Sequence, residues 1–266
     1  MFRSILDGIF SMWGVCPFEA VSAHLIKCRA ESRLPSSPRS VIVVCFPYLL
    51  NEESYAGLNV SRYAAVPDYH GVAAALLEKA VGKLKNAYPE NEFSAFADNS
   101  PIPEVEAACR AGIGVRGMNS LFISEKFGSF VFLGEIVTDL KIPCKDKGIQ
   151  PCLKCGKCVS SCPNGAITPG GINRSLCLSD ITQKKGELTE KETKLIADSG
   201  CLWGCDICQT VCPMNKNASA TDIEDFITGA IARVDESTDI EGRAFAWRGK
   251  KTIDRNIGIF SSRKGE

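Results

Sequence analysis

The chain has no net charge to offer a partner: 31 Lys and Arg balance 31 Asp and Glu over 266 residues. Such a balance supplies no global attraction to nucleic acid or to an anionic membrane. No run reaches the roughly 18 apolar residues of a membrane span. Met1 to Val15 contains Asp7 and lacks small residues leading to a cleavage site, so it does not read as a signal peptide. Cys16, after Trp13-Gly14-Val15, is not in a lipoprotein-type context. The expectation is a cytoplasmic protein. A nucleotide-binding loop is missing too. Gly112, Gly114 and Gly117 have the spacing of G-x-G-x-x-G, but a helix precedes them and a strand-like run follows, the reverse of what that loop needs.

Cysteine is plentiful, and nine of the 14 cysteines fall between 152 and 212. The other five (Cys16, Cys28, Cys45, Cys109, Cys144) are scattered, as in a reducing compartment. Cys152, Cys155, Cys158 and Cys162, followed by Pro163, form the C-x2-C-x2-C-x3-C-P run of two-cluster ferredoxins. Cys205, Cys208, Cys212 and Pro213 repeat its second half. A cubane has four irons, each wanting one thiolate. Cysteines three apart in a tight loop place three sulfurs around one cubane, and the fourth points to the other cluster. Zinc pairs two C-x2-C knuckles and has no use for the remaining cysteines. The spacing therefore predicts two [4Fe–4S] clusters. Nine cysteines compete for eight positions, and by spacing alone the eighth is either Cys177 or Cys201.

Ahead of the cysteines the chain reads as α/β. Residues 1–34 are weakly patterned, with Ala20 to Cys28 as the best helix. Ser40 to Phe46 is a buried strand, Gly71 to Tyr88 an amphipathic helix and Phe93 to Ala97 a strand. Glu104 to Arg110 starts a helix, Ser120 to Ser124 is strand-like, Lys126 to Ser129 turns, and Phe130 to Thr138 is a long strand. Thr189 with Glu192 makes a capping box for a helix that Gly200 stops. Asp222 to Ile231 reads as a short helix. From Arg243 onward there are seven Lys/Arg against two acids, either a solvated tail or an arm for a few phosphates. The expected domains are 1–143, an α/β domain; 144–218, a ferredoxin-like α+β module; and 219–266, a helical, basic extension.

Over about residues 38–215 the sequence resembles the epoxyqueuosine reductase family. The matching pieces are Pro38-Arg39-Ser40-Val41-Ile42, Ser61-Arg62-Tyr63-Ala64 with Asp68-Tyr69-His70, and Asp98 with Pro101 and Glu104. They continue with Ala111-Gly112-Ile113-Gly114, Gly117 with Asn119, Phe127-Gly128-Ser129, Leu133-Gly134-Glu135-Ile136 and Thr138-Asp139-Leu140, and then the cysteine runs with Gly204-Cys205-Asp206. The resemblance implies a nitroreductase-like, corrinoid-binding sandwich of the kind shared with reductive dehalogenases. It also implies a cobalamin cofactor and an oxidoreductase acting on epoxyqueuosine or a related small molecule. It assigns Cys152, Cys155, Cys158 and Cys212 to one cluster, and Cys162, Cys177, Cys205 and Cys208 to the other. Asp98 matches the family's proton donor, and the resemblance also puts it, with Arg62, Tyr63, Asn119, Ser120, Phe127, Gly128 and Ser129, at corrinoid contacts.

The match has departures. Gly117-Met118-Asn119-Ser120 stands where the family has Gly-Lys-Asn-Thr, and Val115 where it has tryptophan. Asp68-Tyr69-His70-Gly71 is not D-x-H-x-x-G, so His70 is not expected on cobalt. The family's helical repeats that grip tRNA do not follow Asn215, which implies weak tRNA capture and either a preferred substrate other than whole tRNA or access to tRNA only through a partner. An external donor of ferredoxin or flavodoxin type and a monomeric state are expected. By residue type alone Asp98 suits two roles, general acid or helix cap. The competing class is an electron-transfer protein: a dicluster ferredoxin with no corrinoid chemistry. A redox or oxygen sensor would need a partner domain that is not visible.

Overall fold

The computed structural model describes residues 1–168 and 171–262. In chain order its elements are α1 (Phe2–Asp7), β1 (Trp13–Pro17), β2 (Ser40–Pro47), α2 (Arg62–Ala65), α3 (Tyr69–Ala87), β3 (Phe93–Phe96), α4 (Glu104–Arg110), β4 (Gly114–Arg116), β5 (Phe122–Ser124) and β6 (Val131–Thr138). They continue with α5 (Lys157–Ser160), β7 (Ile167–Thr168), β8 (Gly171–Ile172), α6 (Leu178–Thr182), α7 (Glu190–Ser199), α8 (Ile207–Thr210), α9 (Glu224–Thr228) and α10 (Lys250–Ser262). No helix among the described residues is long and apolar enough to cross a membrane. The chain forms two compact units: residues 1–47, 69–117 and 121–153 in the first, and 48–68, 118–120 and 154–266 in the second.

The first unit is built on an antiparallel sheet of order β1-β2-β6-β3. All eight residues of β2 are buried. An antiparallel strand usually wets one face; here helices cover both. Val41, Val43 and Cys45 join Leu133 and Val137 of β6 in a cluster with Ala107, Ala108 and Cys109 of α4. On the other face Gly134 leaves room for Phe46 and for Leu77 of α3. The buried stripe of α3 (Ala73, Leu77, Ala80, Leu84) has the helical spacing that the sequence predicts.

One expectation fails at the start of this unit. Ala20 to Cys28 is not an α-helix but a pair of single turns, and the preceding β1 was not anticipated. Gly14 and Pro17 weaken the strand signal. Gly14 is required because a Cβ there would strike Ile113 and Ala111.

The second unit gathers the cysteine-rich segment around residues 48–68. Ser61 N–H donates to Trp203 O (2.8 Å) and Leu202 N–H to Asn59 O (2.7 Å). Helix α5 packs against α8, the two helices that carry Cys158 and Cys208. Helix α7 has its capping box, with the Thr189 side chain accepting from Glu192 N–H, and ends at Gly200 in the left-handed region.

The basic stretch after Arg243 is not a solvated tail up to its last described residue. It folds into α10, which packs on α7 and buries Thr252, Ile253, Asn256 and Ile257. Arg255 Nη1 donates to the carbonyls of Lys184 (2.8 Å) and Gly186 (2.7 Å). Arg243 Nη1 donates to Gly229 O (2.7 Å). The charges that suggested a phosphate arm therefore serve in part to cap backbone. Arg263 and Lys264, also counted in that run, lie outside the described residues.

Asn256 is fully buried and donates to both Thr182 O and Leu202 O at 2.8 Å. Replacing it with Ala leaves two buried carbonyls short of a donor. Asn256→Ala should lower stability by about 1–3 kcal/mol, whereas Lys251→Ala, on an exposed side chain, should change it by less than about 0.5 kcal/mol. Chemical denaturation of the two variants checks this.

Candidate functional site

The thiols come first. All 14 cysteines are free of disulfides. In the second unit, Cys162 of the first run and the isolated Cys177 lie close enough to Cys205 for their charge to act on it, and Cys177 acts on Cys208 as well. Burial is the main cause that pushes Cys205 up to about 11 and Cys208 up to about 12. Such values disfavour free thiolates and leave metal coordination as the means of stripping the protons. The loops have the tight backbone a cluster needs. Lys154 and Gly156 are left-handed (φ 52° and 76°), with Gly156 at the start of α5. Ala166 N–H donates to Cys162 Sγ at 3.2 Å, and the Asn119 side chain donates to the Cys208 sulfur. N–H···S bonds of this kind tune cluster potentials.

Cys201 also lies close enough to Cys205 to feel its charge, but its thiol has backbone partners. Its Sγ donates to Trp203 O (3.2 Å) and Gly204 O (3.5 Å), and burial pushes it up to about 12. Cys155, Cys158 and Cys212 belong to the second unit, while Cys152 lies at the end of the first, its N–H donating to Arg116 O (3.0 Å). Among the described residues no three His, Cys, Asp or Glu side chains converge on a single-ion position.

A polar network fixes the second cysteine run. Asp206 Oδ2 accepts from Arg62 N–H at 2.6 Å, and the Arg62 guanidinium stands 3.9 Å from the same oxygen. Gln209 ties Asp206 to the buried Tyr48 hydroxyl (3.2 Å on each side). The Arg62 side chain also lies over the Tyr55 ring at 4.9 Å. Tyr63, whose hydroxyl accepts from Gln183 Nε2 (3.2 Å), is held neutral by burial. Of the residues matched to corrinoid contacts, Arg62, Tyr63, Asn119 and Ser120 thus sit in this unit. Asn119 is buried, and Ser120 next to it is left-handed (φ 64°).

Asp98, Phe127, Gly128 and Ser129 sit in the first unit. Phe127 is almost fully buried (1% exposed) and packs as a core residue, with Lys126 Nζ over its ring. Gly128 O accepts from Ser124 N–H in the turn the sequence predicts.

Asp98 follows β3 in the left-handed region (φ 59°), its side chain 69% exposed. It is not the cap of α4, whose N-cap is Pro103 with no side-chain bond. Nor is it buried within its own unit. Asp98 Oδ2 lies 3.3 Å from His70 Nε2. The sequence places His70 off the metal, as a packed or supporting residue; it stands half exposed beside Tyr69 and engages Asp98.

Two carboxyls near Asp98 stand among the matching pieces but carry no role from sequence: Glu104 at the first position of α4 and Glu135 in the middle of β6. Their signal was available, because Glu135 interrupts the apolar strand Val131 to Thr138.

The matches of this chain follow that geometry. Residues 151–215 match the family model "4Fe-4S double cluster binding domain". Residues 29–99 match "Epoxyqueuosine reductase QueG, DUF1730". The epoxyqueuosine reductase of Escherichia coli strain K12 is 32% identical over 250 residues, 91% of this chain and 64% of that protein. That of Salmonella typhimurium is 34% identical over 76% of this chain and 54% of its own length. The chain thus spans between just over half and just under two thirds of these curated relatives. In fold it is similar to the epoxyqueuosine reductase of Streptococcus thermophilus (TM-score 0.82, 24% identity, 100% of this chain and 81% of that one). It is also similar to an epoxyqueuosine reductase solved with an epoxyqueuosine-modified tRNA stem loop (TM-score 0.77, 23% identity, 98% and 80%), and to that of Bacillus subtilis with its catalytic aspartate loop swung out of the active site (TM-score 0.76, 23% identity, 98% and 80%).

Gly204 sets the entry to the second cysteine run. It is left-handed (φ 79°), and a Cβ there would run into the Ser61 side chain and the Tyr63 ring. Gly204→Ala should displace Cys205, lower the iron content of anaerobically purified protein and destabilise it by at least about 1–3 kcal/mol. Iron analysis and thermal unfolding measure both.

Proposed function

Because the chain belongs to the epoxyqueuosine reductase family and carries a 4Fe-4S double cluster domain, we propose that it is a cobalamin-dependent reductase that removes the oxygen of an epoxide, of the epoxyqueuosine type, as water. The observation that carries this reading is the gathering of thiols from both runs, Cys162 and Cys177 with Cys205 and Cys208. An arrangement that crosses between runs is what two adjacent cubanes require. In this reading Cys162, Cys177, Cys205 and Cys208 hold one cluster, and Cys152, Cys155, Cys158 and Cys212 the other. Cys201 is no ligand, since its thiol is committed to backbone carbonyls.

When bound, a corrinoid supplies low-potential chemistry at the substrate carbon that no side chain can match. The fit is supported by Asn119 and Ser120, a buried donor to Cys208 and a left-handed neighbour, which bring a corrinoid contact and a cluster thiol to one place in the chain. In the second unit Arg62, Tyr63, Asn119 and Ser120 would hold the group. Asp98 donates a proton to the leaving oxygen, and His70 orients it from 3.3 Å. Electrons enter from a donor of ferredoxin or flavodoxin type. The substrate is tRNA-borne or the corresponding free nucleoside. With Arg243 and Arg255 used on backbone carbonyls, a loose basic arm is not the means of capture.

Iron content, cobalamin binding and turnover test this. Cys177→Ala should lose or convert one cluster while Cys201→Ala keeps about eight irons per chain; the reverse would overturn the ligand assignment. Wild-type protein with cobalamin and a strong reductant should reduce epoxyqueuosine, offered in tRNA and as the free nucleoside. Asp98→Asn should keep iron and cobalamin but slow turnover by roughly 10²–10⁴. Failure to bind cobalamin would leave an electron-transfer protein instead.

A further inference from the structure

The sheet of the first unit carries a carboxyl where its pattern asks for an apolar side chain. Along β6, Val131, Leu133 and Val137 face the cluster with α4, and Glu135 falls in the same alternation. Its cross-strand partners, Val43 and Phe96, belong to that cluster. Glu135 is 0% exposed, and neither of its carboxyl oxygens has a hydrogen-bond partner. The Ser100 hydroxyl approaches it outside good bonding geometry and accepts from Ile102 N–H instead. An ionised carboxylate cannot be sustained there, so the group keeps its proton. Burial first, then the charge of Glu104, hold it well above the ordinary range.

Glu104 is the next carboxyl outward. Its Oε1 is out of water and without a partner, and the side chain accepts the backbone N–H of Asp98. Burial, then the charge of Asp98, push it up to about 8. An acid tuned near the working pH keeps its proton at rest and yields it on demand. Asp98 comes last, exposed and beside His70. Three carboxyls therefore run from the sheet core to the surface. The other titratable groups around them are Cys16 and Cys45, thiols that burial pushes up to about 12, and Glu106 with Arg110, paired at 2.7 Å on α4.

We propose that Glu104 and Glu135 are a proton store that acts through Asp98 and supplies the second of the two protons consumed when an epoxide oxygen leaves as water. The proposal rests on the reading of the chain as an epoxide reductase with Asp98 as its acid. Reduction of an epoxide to an alkene breaks two C–O bonds, forms the carbon–carbon π bond and two O–H bonds, and takes up two electrons and two protons. The electrons come from the external ferredoxin- or flavodoxin-type donor. Asp98 takes the first proton from solvent while the site is open and hands it to the leaving oxygen. Once it has given that up, bound substrate covers it from bulk water. The Glu104 carboxyl then passes its proton to Asp98, and Glu135 shares its own with the Glu104 carboxylate. After product leaves, solvent refills the chain of carboxyls through Asp98.

The test uses the cluster-loaded protein. Glu104→Gln retains an acceptor for Asp98 N–H but holds no transferable proton. Infrared spectra of wild type should show a protonated-carboxyl band that disappears as pH rises through about 8 and is missing from Glu104→Gln; no such band overturns the store. A carboxyl that binds its proton more tightly when folded makes stability fall as pH rises from its unfolded value to its folded one. Wild-type stability should therefore decline from pH 4.5 to about 8, with a flatter curve for Glu104→Gln; superimposable slopes count against the proposal. In epoxide turnover, Glu104→Gln should bind cobalamin normally, slow the single-turnover rate by roughly 10–10² and abolish the alkaline fall near pH 8, with Glu104→Asp restoring part of both. If Asp98→Asn is inactive and Glu104→Gln matches wild type in rate and pH profile, the store is wrong and Asp98 stands. If Asp98→Asn is fully active, the reading of Asp98 falls and the store with it.

Discussion

The second unit depends on one close approach of backbone to backbone. Residues 59–61 pair with 202–203 through the Leu202 to Asn59 and Ser61 to Trp203 hydrogen bonds. Gly204 then turns away through a conformation in which a Cβ finds no space against Ser61 and Tyr63. That contact brings Arg62 to Asp206 and Tyr48 to Gln209, so the loop carrying Cys205 and Cys208 is held by buried polar bonds on a short helix instead of by a sheet. A loop that must present thiols cannot bury a large apolar face of its own. Its order is supplied by residues 48–68, far away in sequence.

The first unit is arranged the other way. Its sheet is sealed by helices on both faces, and its core would be more stable with Leu at position 135. A buried carboxyl without partners breaks the local pattern at a cost in stability, and positions that break such rules without structural gain are where function is to be sought. The proximity of Glu104 and Asp98, and the left-handed backbone at Asp98, place that break beside the exposed acid and not at a random point of the core.

Much of this was legible from residues alone, and the failures have physical causes. The continuous apolar run of β2, the Thr189 capping box and the bounds of α4 follow from local chemistry, which a single segment can specify. Strand β1 did not, because Gly14 and Pro17 look like a loop until the neighbouring Ala111 and Ile113 explain the glycine. The basic stretch misled because charge is counted without geometry: Arg255 and Arg243 spend their donors on carbonyls that only the folded chain brings near. The choice between Cys177 and Cys201 is even on spacing; in the fold the Cys201 thiol faces the carbonyls of Trp203 and Gly204, which no reading of spacing can reveal. By residue type Asp98 suits an acid or a cap equally, and only the fold shows that α4 starts at Glu104 with Pro103 as its N-cap, five residues past Asp98.

The two sites treat buried charge in opposite ways. Around the cysteines, burial raises the thiols, but N–H donors are aimed at sulfur from Ala166 and Asn119, so negative charge on a metal-bound thiolate is accommodated. Around Glu135 the nearby Ser100 hydroxyl makes no well-aligned bond, so negative charge is disfavoured and a proton is retained. The proposed epoxide reduction would consume electrons and protons in equal number and would use both environments. Donors placed on sulfur let electrons arrive without protons; carboxyls stripped of donors keep protons available without electrons. If the donors were exchanged, with N–H groups on Glu135 and none on Cys162 and Cys208, the carboxyl would ionise at rest and the thiolates would lose their support. On that proposal the distribution of hydrogen-bond donors, beyond the identities of the acids and thiols, is what fits the cysteine environment to electrons and the carboxyl environment to protons.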